Sequence, residues 1–239
     1  MKPCLSGNTL KLLACLFMLS DHIGVILFPR LLILRYIGRL AFPIFAFLIA
    51  EGARYTKNRA VYLLRLLGFG LACQAVVHVF VGSWLDMNIF LTFSLSVALI
   101  YLLSFCARLF GSAAFPPLWR RTISVLLALA GLVGVGLVTY VETFDYGFFG
   151  ALTPVIISLP VLARREERPS FVAERLFMLI LALIILSLDL GTYEYLCVFS
   201  VPLLALYSGK RGRYRLKYFF YAFYPIHLAA LYGMDMLLS

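Results

Sequence analysis

The chain has 239 residues, of which 63% are hydrophobic and only 13% are charged, and its mean hydropathy is +0.98. A soluble domain is about half apolar and about a quarter charged, so this chain lacks the polar side chains to cover a water-exposed surface. The composition excludes a soluble globular protein, a disordered chain and a disulfide-stapled secreted domain, and it predicts an integral membrane protein. In a membrane protein, the formal net charge of +10 indicates the orientation of the chain in the membrane rather than a nucleic-acid partner.

Apolar segments of membrane-spanning length follow one another along the whole chain. A helix needs roughly 20 apolar residues to cross the hydrocarbon layer, and nine segments approach that length, although the sixth to eighth are shorter. In chain order they are 10–29, 34–53, 61–82, 88–109, 122–141, 147–163, 173–189, 194–208 and 218–238. The connections are short, so the sequence predicts an all-α bundle of about nine transmembrane helices that forms a single domain over residues 1–239.

The basic residues are distributed unevenly between the predicted loops. With the N-terminus in the cytoplasm, 18 of the 21 Lys and Arg residues fall on the cytoplasmic side. Only Arg30 and Arg35 fall on the other side, and Arg39 lies within the second span. Cytoplasmic loops are enriched in Lys and Arg, and one missed helix would reverse every later loop. The sequence therefore predicts nine spans with the N-terminus inside and the C-terminus outside.

The five cysteines show no C-x-x-C spacing and mostly occupy apolar stretches. This pattern indicates small hydrophobic side chains rather than disulfide partners or metal ligands, so no metal site is predicted. Lys2 and Lys11 precede the first apolar stretch, but no A-x-A-like site follows it. The first helix is therefore expected to be retained rather than cleaved as a signal peptide.

Ionisable side chains interrupt the first, second and ninth spans. A charge at the centre of a bilayer costs about 2.5–3.5 kcal/mol on insertion scales, so each needs a partner or a function. At a rise of about 1.5 Å per residue, His227 lies about 13 Å from the cytoplasmic end, and Asp21 and His22 lie about 16–18 Å from it. Arg39, counted from the opposite end, lies at about 22 Å. These depths overlap, so helices from opposite ends of the chain can present all four side chains to one interior cavity.

Three further polar residues in the spans favour structural roles. Glu51 is expected to meet Arg54 or Arg65 at the inner boundary of the membrane. Gln74 and His78 are four residues apart and therefore share one face of the third span. His78 lies near the outer interface, where a hydrogen-bonded histidine is the favoured interpretation.

Two chemical functions fit the set of His, Arg and Asp residues. A neutral imidazole accepts a proton near pH 7, which suits a general base, and Pro225 places a helix kink beside His227. A buried Arg39 can stabilise an oxyanion or bind a phosphate, unless Asp21 and Arg39 merely neutralise each other. The set therefore suits direct acyl transfer to an amine or hydroxyl, and it also suits a proton relay in a transporter. The lack of repeated halves and the odd number of spans argue against a transporter.

Several motifs resemble those of one known family, the TraX family. The resemblance covers the first 70 or so residues and the last 20, and the middle matches only as hydrophobic helices. The motifs are L-K at 10–11, D-H-I-G at 21–24, G-R-L-A-F-P-I-F at 38–45, E-G at 51–52, T-x-N at 56–58, Y-L-L-R-L at 62–66 and F-Y-P-I-H-L at 223–228. Their occurrence together and in this order is much more specific than any one of them alone.

The resemblance implies a multi-pass acyltransferase of the bacterial cytoplasmic membrane. The family is named for the conjugation protein that acetylates the N-terminus of F-type pilin, and it is more remotely similar to membrane enzymes that acetylate envelope or lysosomal glycans. We therefore expect acetyl-CoA as the co-substrate and an N-terminal amine of a pilin-like protein as the acceptor, alongside contacts with membrane lipids. An envelope glycan or lipid is the alternative acceptor, and a proton-coupled transporter is the alternative class.

The resemblance also implies roles for named residues. His22 or His227 would deprotonate the acceptor, and Arg39, positioned by Asp21, would stabilise the thioester oxyanion. The candidate coenzyme A-binding residues follow the second span: Arg54, Lys57, Asn58, Arg59, Tyr62 and Arg65. The general enrichment of basic residues in inner loops explains these cations equally well without a ligand.

Overall fold

The structure, a computed structural model, describes residues 4–82, 86–112, 116–163, 171–213 and 216–238. These residues form ten α-helices, one 3₁₀ helix and two very short strands. The α-helices are α1 (Gly7–Ile26), α2 (Leu32–Gly38), α3 (Ala41–Tyr55), α4 (Arg59–Val81), α5 (Ile89–Gly111), α6 (Pro117–Val141), α7 (Gly147–Ala163), α8 (Phe171–Leu190), α9 (Val201–Ala205) and α10 (Lys217–Leu238). The strands are β1 (Asp86–Met87) and β2 (Thr143–Phe144), and the 3₁₀ helix is Thr192–Ser200.

The architecture is that of an all-helical membrane protein, as predicted. Within the described residues, five helical segments are long and apolar enough to cross a membrane, and two further apolar segments are shorter. The five are Gly7–Ile26, Leu32–Tyr55, Arg59–Phe80, Ile89–Gly111 and Leu118–Val141, and the shorter two are Gly147–Pro160 and Tyr193–Ala205. Each of the nine predicted segments coincides with helix, whereas the number of crossings and the sidedness stay predictions.

Two of the predicted spans are broken rather than continuous. The second divides into α2 and α3 at Arg39 and Leu40, and the eighth divides into the 3₁₀ helix and the five-residue α9. The first break lets α2 turn back against α1, where a Cβ atom at Gly38 would collide with the side chain of Asp21. Glycine at position 38 therefore permits the close approach that brings the polar residues of α1 and α2 together.

The helices alternate in direction, which places most of the described basic residues at one end of the bundle. The Lys11 ammonium near the start of α1 lies 5.6 Å from the ring centroid of Phe220 near the start of α10, so these two helices run in parallel. We call this the basic end and the opposite one the far end. The described residues at or near the basic end include Lys11, Arg54, Lys57, Arg59, Arg65, Arg108, Arg120, Arg121, Arg175, Lys210, Arg211 and Arg213. Five others assigned to the inner side, Lys2, Arg164, Arg165, Arg168 and Arg215, lie outside the described residues.

Helix α5 begins beside the middle of α4 instead of at the far end. Asn88 precedes α5, and its side-chain amide donates to the carbonyl of Gly70 at 2.8 Å and to Oε1 of Gln74 at 2.9 Å. The backbone N–H of Asn88 also donates to Oε1 of Gln74, at 3.1 Å. Gln74, which is 1% exposed, therefore fixes the start of the next helix. Because α5 begins beside the middle of α4, space remains between the start of α5 and the far end of the bundle.

A buried ion pair joins α3 to α8 near the basic end. Glu51 was expected to meet Arg54 or Arg65, but the structure pairs its carboxylate with the guanidinium of Arg175. The side chain of Arg175 is 4% exposed and that of Glu51 is 11% exposed. The guanidinium carbon also lies 4.4 Å from the ring centroid of Phe47. The partner was not predictable because α8 lies more than 120 residues away in the sequence.

Candidate functional site

The two histidines of α1 and α10 form a direct hydrogen-bonded pair. Nδ1 of His22 lies 2.7 Å from Nε2 of His227, although 205 residues separate them. The ring centroids are 4.9 Å apart and the ring planes differ by 21°, so the rings lie nearly edge to edge, as an in-plane N–H···N bond requires. Tyr224 packs edge-on against both rings, and Phe223 lies parallel to the ring of His227. The prediction that α1 and α10 share one interior site is consistent with this contact.

The hydrogen bonds fix which nitrogen of each neutral ring carries its proton. Nδ1 of His227 lies 2.7 Å from the backbone oxygen of Phe223, and a carbonyl oxygen only accepts, so this nitrogen is the protonated one. Nε2 of the neutral His227 ring is then the acceptor, and Nδ1 of His22 is the donor. Nε2 of His22 is left with the free lone pair, and the ring makes no other hydrogen bond to the described residues. The pair therefore presents one basic nitrogen, and it belongs to His22.

A cluster of four charged side chains lies beside the histidine pair. Nη1 of Arg35 donates to Oδ2 of Asp21 at 2.9 Å, and Nη1 of Arg39 donates to Oε1 of Glu194 at 2.6 Å. Nη2 of Arg39 lies 3.6 Å from Oδ1 of Asp21, which links the two pairs. Asp21 and Arg39 are therefore neighbours, as the sequence suggested, but each has a closer partner.

The sequence analysis placed Arg35 on the outer side of the membrane and proposed no role for Glu194. Both lie in the bundle because the broken second and eighth spans fold their polar residues inward. The four-residue spacing of Arg35 and Arg39, which places both on one helix face, was the available signal for Arg35. Glu194 has the same kind of signal, because Cys197 follows it by three residues and the Cys197 thiol donates to Oε2 of Glu194 at 3.4 Å.

The turn between β2 and α7 adds two further side chains to the site. The hydroxyl of Tyr146 accepts a hydrogen bond from Nη1 of Arg39 at 3.5 Å, and its ring stacks on Phe42 with centroids 4.0 Å apart. Tyr146 has a φ of 62°, in the left-handed region that bulky residues rarely adopt. Backbone strain of this kind tends to be retained where a side chain must be aimed. No sequence pattern indicated a role for Tyr146 or for Asp145 before it.

Asp145 lies in the turn between β2 and α7, beside the charged cluster. Its side chain stays accessible, because it lines cavities rather than packing against other side chains. Burial among protein atoms, with the nearby charge of Asp21 as a smaller cause, raises the pKa of the Asp145 carboxyl to about 6. Asp145 is therefore mainly ionised at neutral pH.

Three cavities with shared walls follow α1 from the basic end to the far end. The first, which we call the aromatic cavity, has a volume of about 180 Å³ and includes Asn8, Lys11 and Arg211 at the basic end. Farther in, it is lined mainly by aromatic rings: Phe45, Tyr62, Phe69, Phe90, Phe220, Tyr221, Phe223 and Tyr224. A long ligand with a charged head and a slender body fits this distribution of charge and aromatic surface.

The other two cavities meet at His22. The central cavity, of about 200 Å³, is lined by Asp21, Arg35 and Arg39 of the charged cluster. It shares Met18, Phe45 and Tyr224 with the aromatic cavity. The far cavity, of about 350 Å³, lies above the start of α5 and shares His22, Asp145 and Tyr224 with the central cavity. His22 therefore lines the series of cavities between the two ends of the bundle. His227, which the sequence analysis expected in the same cavity, lines none of the four cavities and contacts the site through His22.

The predicted coenzyme A-binding residues occupy separate places. Tyr62 lines the aromatic cavity, whereas Arg54 and Arg59 line a fourth cavity of about 430 Å³ together with Arg108 and Arg175. We call this the arginine cavity, and it shares no wall residue with the central cavity. Asn58 caps α4 by accepting from the N–H of Val61 at 3.0 Å, and Lys57 and Arg65 are exposed and line none of the four cavities.

No metal centre is found in the part of the chain that the structure describes, because no three His, Cys, Asp or Glu side chains converge there. The described side chains that can take part in chemistry at this site include the histidine pair and the charged cluster. An unprotonated imidazole nitrogen beside a buried guanidinium is suited to removing a proton and stabilising a developing negative charge.

Comparisons with known proteins place the chain in a family. The TraX protein family matches residues 6–235. The probable fimbrial assembly protein FimC of Dichelobacter nodosus is 27% identical and aligns over 98% of this chain and 97% of its own length. Protein TraX of Escherichia coli is 28% identical over 94% of this chain and 85% of its own, and an uncharacterised Rickettsia prowazekii protein is 35% identical over 39% of this chain and 36% of its own. No solved structure matches the chain. Since the family match spans nearly every helix described above, the chain belongs to the TraX family.

Proposed function

We propose that this protein is a membrane-embedded acetyltransferase that transfers an acetyl group from acetyl-CoA to an N-terminal amine of a pilin-like protein. The observation that carries the proposal is the His22–His227 pair, which leaves one basic nitrogen in the wall of a polar cavity. Membership of the TraX family supports acyl transfer, and the name of the Dichelobacter relative, a fimbrial assembly protein, supports a pilin-like acceptor.

His22 acts as the general base in this proposal. Its Nε2 removes a proton from the acceptor amine as the amine nitrogen forms a bond to the thioester carbonyl carbon. The carbon–sulfur bond then breaks, and the departing thiolate receives the proton from His22, so that the products are an amide and coenzyme A. Arg39, held by Glu194 in the same cavity, stabilises the negative charge that develops on the carbonyl oxygen. His227 is a positioning residue, because it orients His22 without touching the substrate.

The donor approaches through the aromatic cavity. Its phosphates bind Lys11 and Arg211, and its pantetheine arm follows the aromatic rings towards Met18 and the central cavity. The arginine cavity carries more positive charge, but its walls do not join those of the central cavity. Of the coenzyme A-binding residues predicted from sequence, Tyr62 remains beside this route.

Acetyl-CoA binding to the protein purified in detergent tests this route. We expect saturable binding, and we expect Lys11→Ala and Arg211→Ala each to raise the Kd about tenfold, because each removes one charge-assisted contact to a phosphate. Arg65→Ala, which removes an exposed arginine outside the cavities, is the matched control and should bind as the wild type does. If Arg59→Ala and Arg108→Ala raise the Kd instead, the phosphate-binding site lies in the arginine cavity. A wild type that binds no acetyl-CoA would refute the proposed activity.

We further propose that the basic end faces the cytoplasm of a bacterial plasma membrane, with nine crossings of the chain. Four of the five cysteines are buried and Cys4, at the basic end, is exposed. In intact cells we expect a membrane-impermeant maleimide to leave Cys4 unlabelled and to label an Asp235→Cys variant made in a Cys4→Ser background. Permeabilisation should then expose Cys4. Labelling of Cys4 in intact cells would reverse the orientation.

A further inference from the structure

Asp145 occupies the junction between the central and far cavities. His22, Asp145 and Tyr224 are the three residues that line both. The carboxylate is thus placed beside the same space as the basic nitrogen of the histidine pair. The far cavity is otherwise bounded on several sides by apolar side chains, among them Val25, Val77 and Leu228.

The backbone holds Asp145 firmly in this position. Its N–H donates to the carbonyl of Met87 at 3.0 Å, and its carbonyl accepts from the hydroxyl of Thr92 at 2.9 Å. The following residue, Tyr146, has the left-handed φ of 62° and is bound to Arg39. The turn that carries Asp145 is therefore held by hydrogen bonds to β1, to α5 and to Arg39 of the charged cluster.

Among the described residues no cation forms a direct ion pair with the Asp145 carboxylate, although the charges of Arg39 and Arg35 act on it at longer range. The nearby guanidinium groups of Arg35 and Arg39 are bound to Asp21 and Glu194. From the described residues, the carboxylate accepts one hydrogen bond, from the backbone N–H of Ile89 at the start of α5. An ionised carboxylate with spare acceptor positions, lining a cavity next to a base, is complementary to a cationic ligand.

We infer that Asp145 binds the acceptor as a primary ammonium in the far cavity, so that the acceptor reaches His22 from the end opposite to the donor. This inference rests on the proposed acetyltransferase function and adds the residue that binds the acceptor and the cavity through which the acceptor enters. A chain terminus carrying an ammonium and an apolar first side chain fits the carboxylate and the apolar wall together. An uncharged hydroxyl of a glycan can donate a hydrogen bond to the carboxylate, but it lacks the charge attraction that an ammonium adds.

The proton balance of the step is simple. The bound R–NH₃⁺ gives one proton to Nε2 of His22, which passes it to water in the far cavity. The resulting amine forms the C–N bond as the C–S bond breaks, and its second proton passes through His22 to the thiolate. The sum is R–NH₃⁺ and acetyl-CoA giving R–NH–acetyl, coenzyme A and one released proton.

Paired peptide acceptors test the inference. The probes are alanyl-alanine amide and its lactoyl analogue, in which a hydroxyl replaces the terminal amine. We expect the wild type to prefer the amine. We expect Asp145→Asn to raise the KM for the amine about 10- to 100-fold, the loss expected for one hydrogen bond to a charged group, while the Kd for acetyl-CoA stays unchanged. Asp145→Glu should recover part of the amine preference, and Asp235→Asn, the same change at an exposed position of α10, should match the wild type.

A purely structural role for Asp145, as an acceptor at the start of α5, would lower stability without changing the preference between amine and hydroxyl. Unchanged KM values for the amine in a folded Asp145→Asn protein, judged by its acetyl-CoA binding, would overturn the inference. Direct binding of the two peptides in the absence of donor separates this result from failure of the proposed function. If the wild type uses no acetyl-CoA but still binds the amine peptide through Asp145, the ammonium site is supported and the proposed transfer reaction is refuted.

Discussion

Replacing His22 by alanine is expected to lower acetyl transfer by about 10²- to 10⁴-fold, because the variant loses its general base. His227→Ala should lower it by roughly 10- to 100-fold, the range for loss of an orienting partner. His227→Gln should recover much of that loss, since its amide oxygen can accept the proton of Nδ1 of His22. The measurement is the rate of acetylated product formed by purified protein at saturating acetyl-CoA.

The third histidine provides the control for these variants. His78 lies on α4 and lines none of the four cavities, so His78→Ala should leave the rate close to that of the wild type. Nitrogen NMR of labelled protein should show both His22 and His227 protonated at Nδ1. If His22→Ala keeps the wild-type rate of acetyl transfer and His227→Ala is inactive, the two roles are reversed. If both variants keep the wild-type rate, neither imidazole takes part in the mechanism.

Removing one partner of the buried Glu51–Arg175 pair is expected to cost about 3–5 kcal/mol of unfolding free energy, because the other charge would stay buried without compensation. We expect Glu51→Gln to show this loss in a denaturant titration in detergent. The double variant Glu51→Leu, Arg175→Met should recover most of it, since two apolar side chains need no compensation and methionine can pack over Phe47.

Arg65→Met is the matched control for this pair. It makes the same chemical change on an exposed face of α4, where we expect a shift within about 0.5 kcal/mol. If Glu51→Gln unfolds at the same denaturant concentration as the wild type, the pair does not contribute as a buried charge. In that case the arginine would have to reach water through the arginine cavity that it lines.

Counting depth along straight helices was enough to associate Asp21, His22, Arg39 and His227, since a constant rise per residue relates sequence position to height in the bundle. It was not enough to find the partners of the arginine. Glu194 lies on a 3₁₀ segment, and its inward position depends on how that segment packs against α3 and α8. Such packing is a property of tertiary contacts, which a hydrophobic pattern does not encode.

The same limit explains the residues missed at the far end. Asp145 follows a two-residue strand and precedes a left-handed turn, and nothing in the local sequence distinguishes it from an ordinary polar loop residue. The position at which α5 begins was equally unpredictable from the sequence, because it depends on the hydrogen bonds from Asn88 to Gly70 and Gln74. Loop residues become part of a membrane site when a helix begins below the surface and leaves the loop inside the bundle.

The pairing of the first helix with the last has a consequence for biogenesis. His22 on α1, the proposed base, is hydrogen-bonded to His227 of α10. The backbone N–H groups of Gly7 and Asn8 bond the carbonyls of Lys210 and Arg211 just before that helix. A ribosome-bound chain that has inserted every earlier helix still has His22 without its orienting partner. The site is therefore completed only when α10 inserts, and a nascent chain arrested before α10 should lose at least the roughly 10- to 100-fold of rate expected for His227→Ala.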